Sequence, residues 1–195
     1  MTLYRINEIF YSIQGEGLNS GTPAVFVRFS GCNLCCPFCD TEHSAYKEYN
    51  SLQIINEIQK YPSTLIVLTG GEPGLSIDND LVRQLRSLRR TIAIETNGTI
   101  ELPEGIDFVT LSPKCDFSKG GEVKLQKCDE LKLVYDGKID PERYKDIQTT
   151  FRFLQPCDIG DRAKNREIIR KTYQYCLSHP QWRISLQIHK ILNVP

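Results

Sequence analysis

The sequence predicts an α/β protein whose mainly parallel sheet forms a partial or truncated (β/α)6 barrel. Apolar, β-prone runs alternate with amphipathic helical patterns, which is typical of a parallel sheet with helices outside it. The chain has 195 residues, fewer than the roughly 250 of a full eightfold barrel. Since no long linker, low-complexity stretch or change of composition divides it, we expect residues 1–195 to form a single domain.

Seven strands and three helices are predicted from the periodicity of apolar residues. The strands are expected at 24–29, 64–68, 91–95, 108–111, 131–135, 150–154 and 183–188. The first helix, 51–60, takes Ser51 as its N-cap and turns Leu52, Ile55 and Ile58 inward. The second helix is capped by Asp78 and carries the apolar stripe Leu81, Val82, Leu85 and Leu88. The third, 165–177, is expected to bury Ile168, Ile169, Tyr173 and Cys176.

Polar and glycine-rich segments follow the predicted strands. They lie at 31–41, 70–74, 96–99, 112–114 and 155–158. Active sites of parallel α/β folds lie at the carboxyl ends of their strands, so these loops are expected to converge on one face.

The overall composition excludes two classes of partner. Lysine plus arginine equals aspartate plus glutamate, and this zero formal charge argues against a general nucleic-acid-binding protein. No apolar run is long enough to span a bilayer, and the first residues lack the pattern of a signal peptide. We therefore expect a cytoplasmic protein without membrane contact, in which cysteines stay reduced.

Four of the eight cysteines lie between positions 32 and 39, and this clustering predicts a metal site. Thiolates are soft ligands that suit iron–sulfur clusters, zinc or copper(I). The spacing alone allows Cys32, Cys36 and Cys39, or Cys32, Cys35 and Cys39, as the ligands. Zinc would need a fourth ligand, for which Cys115, Cys128 or His43 are the candidates. The more scattered Cys157 and Cys176 have the pattern of incidental thiols.

The segment Gly70-Gly71-Glu72-Pro73 follows a predicted buried strand. Glycines at such a position allow the backbone to approach a ligand closely. Glu72 and neighbouring carbonyl groups could accept hydrogen bonds from the ammonium group of a methionine moiety.

Together these two segments resemble the radical S-adenosylmethionine superfamily. The cysteine spacing of three residues and then two, with Phe38 before the third cysteine, is the superfamily's pattern, and Gly70–Pro73 matches its GGEP motif. The resemblance implies a [4Fe–4S] cluster held by Cys32, Cys36 and Cys39 at the carboxyl ends of the strands. Cys35 is then not a ligand. Three cysteines leave one iron open, where S-adenosylmethionine can bind.

A longer set of segments resembles one family within that superfamily, the 7-carboxy-7-deazaguanine synthases. The most selective is Ile13-Gln14-Gly15-Glu16-Gly17 together with Arg28. Further matching segments are 7–10, 39–41, 95–99, 112–114, 154–156 and 187–190, with the terminal Pro195. In one departure, Ile188 replaces a threonine that is common in the family.

This resemblance implies a carbon–nitrogen lyase of queuosine and 7-deazapurine biosynthesis. It would convert 6-carboxy-5,6,7,8-tetrahydropterin to 7-carboxy-7-deazaguanine with loss of ammonia. The implied cofactors are the [4Fe–4S] cluster, S-adenosylmethionine and Mg²⁺. The implied partners are an electron donor such as flavodoxin or ferredoxin and a second copy of the chain in a homodimer.

The resemblance also assigns ligand contacts residue by residue. It assigns Mg²⁺ to the hydroxyl of Thr41, which is a hard oxygen ligand. The S-adenosylmethionine contacts are Phe38, Cys39, Asp40, Gly70, Gly71, Glu72, Gly98, Ser112, Pro113, Lys114 and Gln155. The substrate contacts are Ile13, Gln14, Gly15, Arg28, Thr96 and Pro195, with His189 nearby.

Two other functions remain compatible with parts of the sequence. A glycyl-radical-enzyme activase would share the cysteine loop and the glycine motif, but not residues 13–17 or the terminal segment. A non-enzymatic iron–sulfur carrier or zinc module would share only the cysteines and has no need of Gly70–Pro73.

Overall fold

In the computed structural model, which describes residues 2–42 and 44–195, one nine-stranded sheet organises the chain. The strands are β1 (Tyr4–Ile13), β2 (Pro23–Phe29), β3 (Lys47–Tyr49), β4 (Leu65–Gly70), β5 (Thr91–Thr96), β6 (Phe108–Leu111), β7 (Glu130–Tyr135), β8 (Phe151–Pro156) and β9 (Arg183–Ile184). The helices are α1 (Ser51–Gln59), α2 (Asn79–Arg86), α3 (Arg162–Ser178) and α4 (Ile188–Leu192), and short 3₁₀ helices span Pro73–Leu75 and Pro141–Tyr144.

The sheet is mainly parallel and open. Its order is β3-β1-β2-β4-β5-β6-β7-β8-β9, and β1 pairs antiparallel with both of its neighbours while the remaining pairs are parallel. Among the described residues, no pairing joins β3 to β9, so the sheet is not closed into a barrel. The connections 97–107 and 112–129 contain no helix in the described structure, which leaves fewer helices than a sixfold repeat requires.

Side chains alternate between the two faces of the central strands, as the pleat of a strand requires. Val25, Val27 and Phe29 of β2 point into a core that also contains residues of α1 and α2. Ala24 and Phe26 of the same strand point to the opposite face, where a smaller cluster forms with β4 and β5. A third cluster packs β6, β7 and β8 around Trp182. Together these clusters make the sheet a rigid support for the loops at its carboxyl edge.

Local hydrogen bonds explain where the helices begin. Asn50, and not Ser51, caps α1: its side chain accepts from the Gln53 N–H, and the Gln53 side chain accepts from the Asn50 N–H. Asp78 caps α2 as predicted, and the same carboxylate accepts a 2.9 Å hydrogen bond from the Tyr4 hydroxyl. This bond ties the start of α2 to the first strand.

Several sequence predictions require correction. Leu52 is exposed, and Ile54 takes its place in the core beside Ile55 and Ile58. On α3, Ile168 and Thr172 are buried, whereas Ile169 and Tyr173 are exposed.

The two ends of the chain also differ from the prediction. The last strand ends at Ile184, and α4 begins at Ile188. The sequence analysis missed β1, because four of its ten residues are polar and its two neighbours supply the pairing that its composition does not reveal. Within the described residues, no helix is long and apolar enough to cross a membrane.

Core packing predicts different costs for two leucine substitutions. Leu81 on α2 is 0% exposed in the main core, whereas Leu52 on α1 is 59% exposed. We expect Leu81→Ala to lower the free energy of unfolding by about 2–5 kcal/mol, since it removes buried methyl groups and leaves a cavity. Leu52→Ala should change it by less than about 0.5 kcal/mol. Anaerobic denaturant titration measures both, and equal losses would contradict the packing described here.

Candidate active site

A cavity of about 390 Å³ opens at the carboxyl ends of the strands. Loops that are distant in sequence line it, as the order of polar segments along the chain predicts. The predicted site residues found in its wall are Ile13, Gln14, Gly15, Arg28, Cys32, Cys36, Phe38, Cys39, Asp40, Thr41, Gly70, Gly71, Thr96, Ser112, Lys114, Gln155 and Pro195. The described wall does not include Glu72, Gly98 or Pro113.

The cysteine loop presents three thiols to this cavity. The Cys39 N–H donates to the Cys36 carbonyl oxygen at 3.1 Å, and the Leu34 N–H points at the Cys32 sulfur at 3.4 Å. Burial raises the pKa of the Cys32 and Cys36 thiols, so metal binding would be needed to hold them as thiolates at neutral pH. Cys35 is exposed and is not part of the described cavity wall, and its N–H donates to the Ser118 hydroxyl at 3.1 Å.

The donor set fits a cubane cluster better than a single zinc ion. Among residues 2–42 and 44–195, no three histidine, cysteine or acidic side chains are placed to hold one metal ion. Cys115 pairs with the Tyr144 hydroxyl at 3.0 Å, and Cys128 is buried in the third cluster, so neither joins the loop. His43 lies outside the described residues. Each thiolate of a cubane binds a different iron, so its cysteines need not converge on one point.

Strand register places the glycine turn against the cysteine loop. Phe29 and Gly70 are partners in the parallel pair β2–β4, and the Glu72 N–H donates to the Gly31 carbonyl oxygen at 2.9 Å. A Cβ atom on Gly71 would lie 2.0 Å from that same oxygen. Glycine at position 71 is therefore required for the two loops to approach.

Glu72 lies behind the cavity wall and holds it in shape. Its carboxylate accepts from the Thr96 hydroxyl and the Asn97 N–H at 2.7 Å, and from the Gly74 N–H at 2.9 Å. Burial raises the pKa of Glu72, although these donors oppose the shift. Gly98, next in the same loop, has φ +77°, and a Cβ there would lie 2.2 Å from Leu111. Glu72 thus fixes the loop after β5.

The partly buried amine of Lys114 forms another part of the wall. Lys114 Nζ donates to the carbonyl and hydroxyl oxygens of Ser112 at 2.6 Å. Burial, with a smaller contribution from the nearby positive charge of Lys132, lowers the pKa of Lys114 to about 8. The side chain of Gln155 is also buried, and its amide oxygen accepts from the Ser185 hydroxyl at 3.0 Å.

The opposite part of the wall comes from β1, β2 and the end of the chain. Arg28 pairs through Nε with Glu8 at 2.8 Å and lies over the Phe10 ring. Within the described residues, the bond from Nε to Glu8 is the hydrogen bond found for this guanidinium, so four further N–H groups can serve an anionic ligand. Further along β1, the Ser12 hydroxyl donates to the Pro195 oxygen at 2.7 Å.

Helix α4 contacts this wall only through residues that water can reach. None of its five described residues is buried. The Ile188 N–H donates to the Gly15 carbonyl oxygen at 3.0 Å, and a Cβ on Gly15 would lie 1.9 Å from His189 Nδ1. Lys190 forms ion pairs with Asp40 at 2.9 Å and Asp158 at 3.3 Å.

Sequence reasoning missed a charged group at the bottom of the cavity. Lys132 on β7 pairs with Glu16 at 2.5 Å and with Glu95 at 3.3 Å. Burial alone would raise the pKa of Glu16, but Lys132 outweighs it and holds this pKa at about 2. Burial likewise would lower the pKa of Lys132, but the two carboxylates raise it. The available signal was a lysine within a strand predicted to be buried.

The contact between Gly71 and Gly31 predicts a local effect of substitution. In Gly71→Ala the new methyl group must push the cysteine loop away, so we expect loss of the cluster and of S-adenosylmethionine binding. Iron and sulfide analysis and equilibrium dialysis measure the two effects. Gly160→Ala is the control: φ there is +75° and nothing lies within 4 Å of a Cβ, so only a backbone cost of about 1 kcal/mol is expected. A Gly71→Ala protein with normal cluster and cofactor binding would contradict the prediction.

Comparison with known proteins agrees with this fold and identifies a family. The sequence model of the radical SAM superfamily matches residues 26–116. The 7-carboxy-7-deazaguanine synthase of Bacteroides thetaiotaomicron is 46% identical, over 97% of this chain and 98% of that protein. The synthase of Nitratidesulfovibrio vulgaris is 39% identical, over 98% and 99%. The crystal structure of QueE from Escherichia coli superposes with a TM-score of 0.75 and 26% identity, over 95% of this chain and 94% of that chain. The chain belongs to the 7-carboxy-7-deazaguanine synthase family, within the radical S-adenosylmethionine superfamily.

Proposed function

We propose that this chain converts 6-carboxy-5,6,7,8-tetrahydropterin to 7-carboxy-7-deazaguanine with loss of ammonia. The reaction makes it a carbon–nitrogen lyase of queuosine and 7-deazapurine biosynthesis. The observation that carries the proposal is the cavity in which the three-cysteine loop, the Gly70–Gly71 turn and the 13–16 segment meet. A relative with 46% identity over nearly the full length bears the name of this synthase.

Three cysteines of this chain would hold the cluster and leave one iron free of protein ligands. Cys32, Cys36 and Cys39 line the cavity, and Cys35 stays outside its described wall. When bound, the cluster and S-adenosylmethionine supply a one-electron cleavage that yields a carbon radical able to remove hydrogen from substrate. The surrounding protein positions the reactants and excludes water.

The residues proposed for S-adenosylmethionine act in two ways. Gly70 and Gly71 allow the backbone to approach the ligand, and Lys114 offers a partly buried amine whose pKa burial lowers to about 8. Glu72 remains among the proposed contacts, and its bonds from Thr96, Asn97 and Gly74 hold its carboxylate in place. The remaining proposed contacts are Phe38, Cys39, Asp40, Gly98, Ser112, Pro113 and Gln155.

The proposed substrate contacts match the chemistry of a carboxylated pterin. Arg28 keeps four N–H groups beyond its bond to Glu8, and a guanidinium can bind a carboxylate through two parallel hydrogen bonds. Gln14 and the backbone of Ile13 and Gly15 offer donors and acceptors to the polar edge of the ring. Thr96 and Pro195 complete the proposed contacts.

The proposal extends to magnesium. Thr41 follows the cysteine loop and lies in the cavity wall, where its hydroxyl is a hard oxygen ligand. Mg²⁺ keeps several waters and binds few protein groups, so one hydroxyl together with the substrate carboxylate would suffice to place it. Its role would be to orient that carboxylate during the rearrangement.

The proposal also covers the domain organisation, the cellular compartment, the oligomeric state and the electron donor. Residues 1–195 would act as a single radical S-adenosylmethionine domain in the cytoplasm. Two copies would associate as a homodimer, and flavodoxin or ferredoxin would deliver the electron.

Anaerobic turnover tests the proposed reaction. We expect reconstituted protein, given dithionite, S-adenosylmethionine and the tetrahydropterin, to release 7-carboxy-7-deazaguanine and ammonia, with slower turnover when Mg²⁺ is removed. Liquid chromatography with mass spectrometry measures the product. Absence of the deazaguanine from protein that carries its cluster would contradict the proposal. Formation of a glycyl radical on a partner protein would instead support a glycyl-radical-enzyme activase.

Paired cysteine variants test the ligand assignment. Cys36→Ala should lose both cluster and turnover, because a cubane needs its three thiolates. Cys35→Ala is the matched control and should keep both, since Cys35 lies outside the described cavity wall. Iron and sulfide content and electron paramagnetic resonance spectra report the cluster. Loss of the cluster in Cys35→Ala would show that the assignment is wrong.

A further inference from the structure

The turn between β1 and β2, residues 14–22, reaches across the open side of the sheet. β1 is second and β7 seventh in the order of the nine strands, so strand pairing does not bring them together. Even so, the Leu18 N–H donates to the Glu130 carboxylate of β7 at 2.7 Å, and the Gly17 N–H donates to the Ser185 hydroxyl at 3.0 Å. Polar contacts from the turn thus span the gap that the unpaired edges leave.

The shortest of these contacts is the ion pair of Glu16 with Lys132. The two groups are 2.5 Å apart, and their side chains are only 14% and 7% exposed. The side-chain amide of Gln187 donates a 2.8 Å hydrogen bond to the other carboxylate oxygen of Glu16. A pair so shielded from water resists screening by salt, and removing one partner leaves an uncompensated buried charge.

Lys132 also holds the neighbouring wall. One carboxylate oxygen of Glu95 on β5 accepts hydrogen bonds from Lys132 at 3.3 Å and from the Gln14 amide at 3.1 Å. The other oxygen accepts from the Thr69 hydroxyl at 2.9 Å. One cation therefore connects the turn to β5 and β7 at once. Gln14 and Gly15, the turn residues proposed to contact the pterin, lie directly before Glu16.

We infer that Lys132 is a positioning residue for the pterin: by pairing with Glu16 and Glu95 it fastens the β1–β2 turn across the open sheet and so fixes Gln14 and Gly15 in the cavity. The inference rests on the proposed function. Lys132 does its work through these groups and takes no part in the bond-breaking steps. On the S-adenosylmethionine side of the cavity, Glu72 holds the loop after β5, and Lys114 donates to Ser112 in the loop after β6. The proposed S-adenosylmethionine contact that adjoins the turn is Gln155, which is linked to Gly17 through the Ser185 hydroxyl.

The test compares four variants of the full holoenzyme. Lys132→Met removes the charge and keeps the length of the side chain. Glu16→Gln is the less disruptive substitution, because Lys132 still pairs with Glu95 in it. It replaces Lys132→Met in the test if that variant does not fold. The double variant Glu16→Gln with Lys132→Met measures the coupling of the two groups. Lys171→Met is the matched control, since Lys171 pairs only with Glu167 on the exposed surface of α3 among the described ion pairs.

The measurements separate pterin positioning from general stability. They are the dissociation constants of the tetrahydropterin and of S-adenosylmethionine, both determined anaerobically, together with KM, kcat and the thermal midpoint. For Lys132→Met we expect the dissociation constant and KM of the pterin to rise by about tenfold or more, with S-adenosylmethionine binding changed by less than about twofold. Glu16→Gln should show the same pattern. The double variant should bind the pterin no more weakly than Lys132→Met does, because the effects of coupled groups are not additive. Lys171→Met should match the wild type.

Other outcomes overturn the inference. If Lys132→Met and Glu16→Gln fold and bind the pterin like the wild type, or if pterin and S-adenosylmethionine affinities fall together, Lys132 is a structural residue only. Additive losses in the double variant would also refute the coupling. The wild type separates this failure from a failure of the proposed function: if it neither binds nor converts the tetrahydropterin, the function itself is wrong.

Discussion

The parallel pairing of β2 with β4 is the constraint on which the site depends. Its register sets Phe29 opposite Gly70, so the cysteine loop and the glycine turn leave the sheet side by side. The bonds from the Gly71 and Glu72 N–H groups to the carbonyl oxygens of Phe29 and Gly31 extend this pairing beyond the strands. A slip of one of these strands by one residue would turn its side chains to the opposite face of the sheet. It would bury the wrong side chains and separate the metal loop from the cofactor turn at the same time.

An open sheet creates a second requirement, because a cavity bounded by unpaired edges needs another means of holding its walls. Here the wall is held by buried polar groups, each of which has partners: the described structure contains no buried side-chain nitrogen or oxygen without a hydrogen bond. Glu72 organises the cofactor side, and the group of Glu16, Lys132 and Glu95 organises the other. Such networks define one geometry when every member is satisfied.

The sequence analysis found what is local and missed what depends on distant partners. The cysteine loop, Gly70–Gly71 and the polar ends of the strands are contiguous patterns, and the family membership they indicated is confirmed. The phase of α1 could not be fixed, because Leu52 and Ile54 both fit an apolar stripe with Ile55 and Ile58, and only packing against the sheet decides between them.

The importance of Lys132 was hidden for a similar reason. Its partners Glu16 and Glu95 lie 116 and 37 positions away along the chain. The contacts assigned to S-adenosylmethionine, magnesium and pterin remain predictions, although the fold brings most of these residues into one wall.

Helix α4 packs against the cavity without burying any of its described residues, so the two sides of the cavity differ in how firmly they are held. On the side of β2 and β4, any widening would have to disrupt the packed core. Around His189 and Pro195, widening breaks solvent-accessible ion pairs and hydrogen bonds, and exposed ion pairs contribute only about 0–1 kcal/mol each. Amide protons of this last segment should therefore exchange with solvent through local detachment long before those of the sheet.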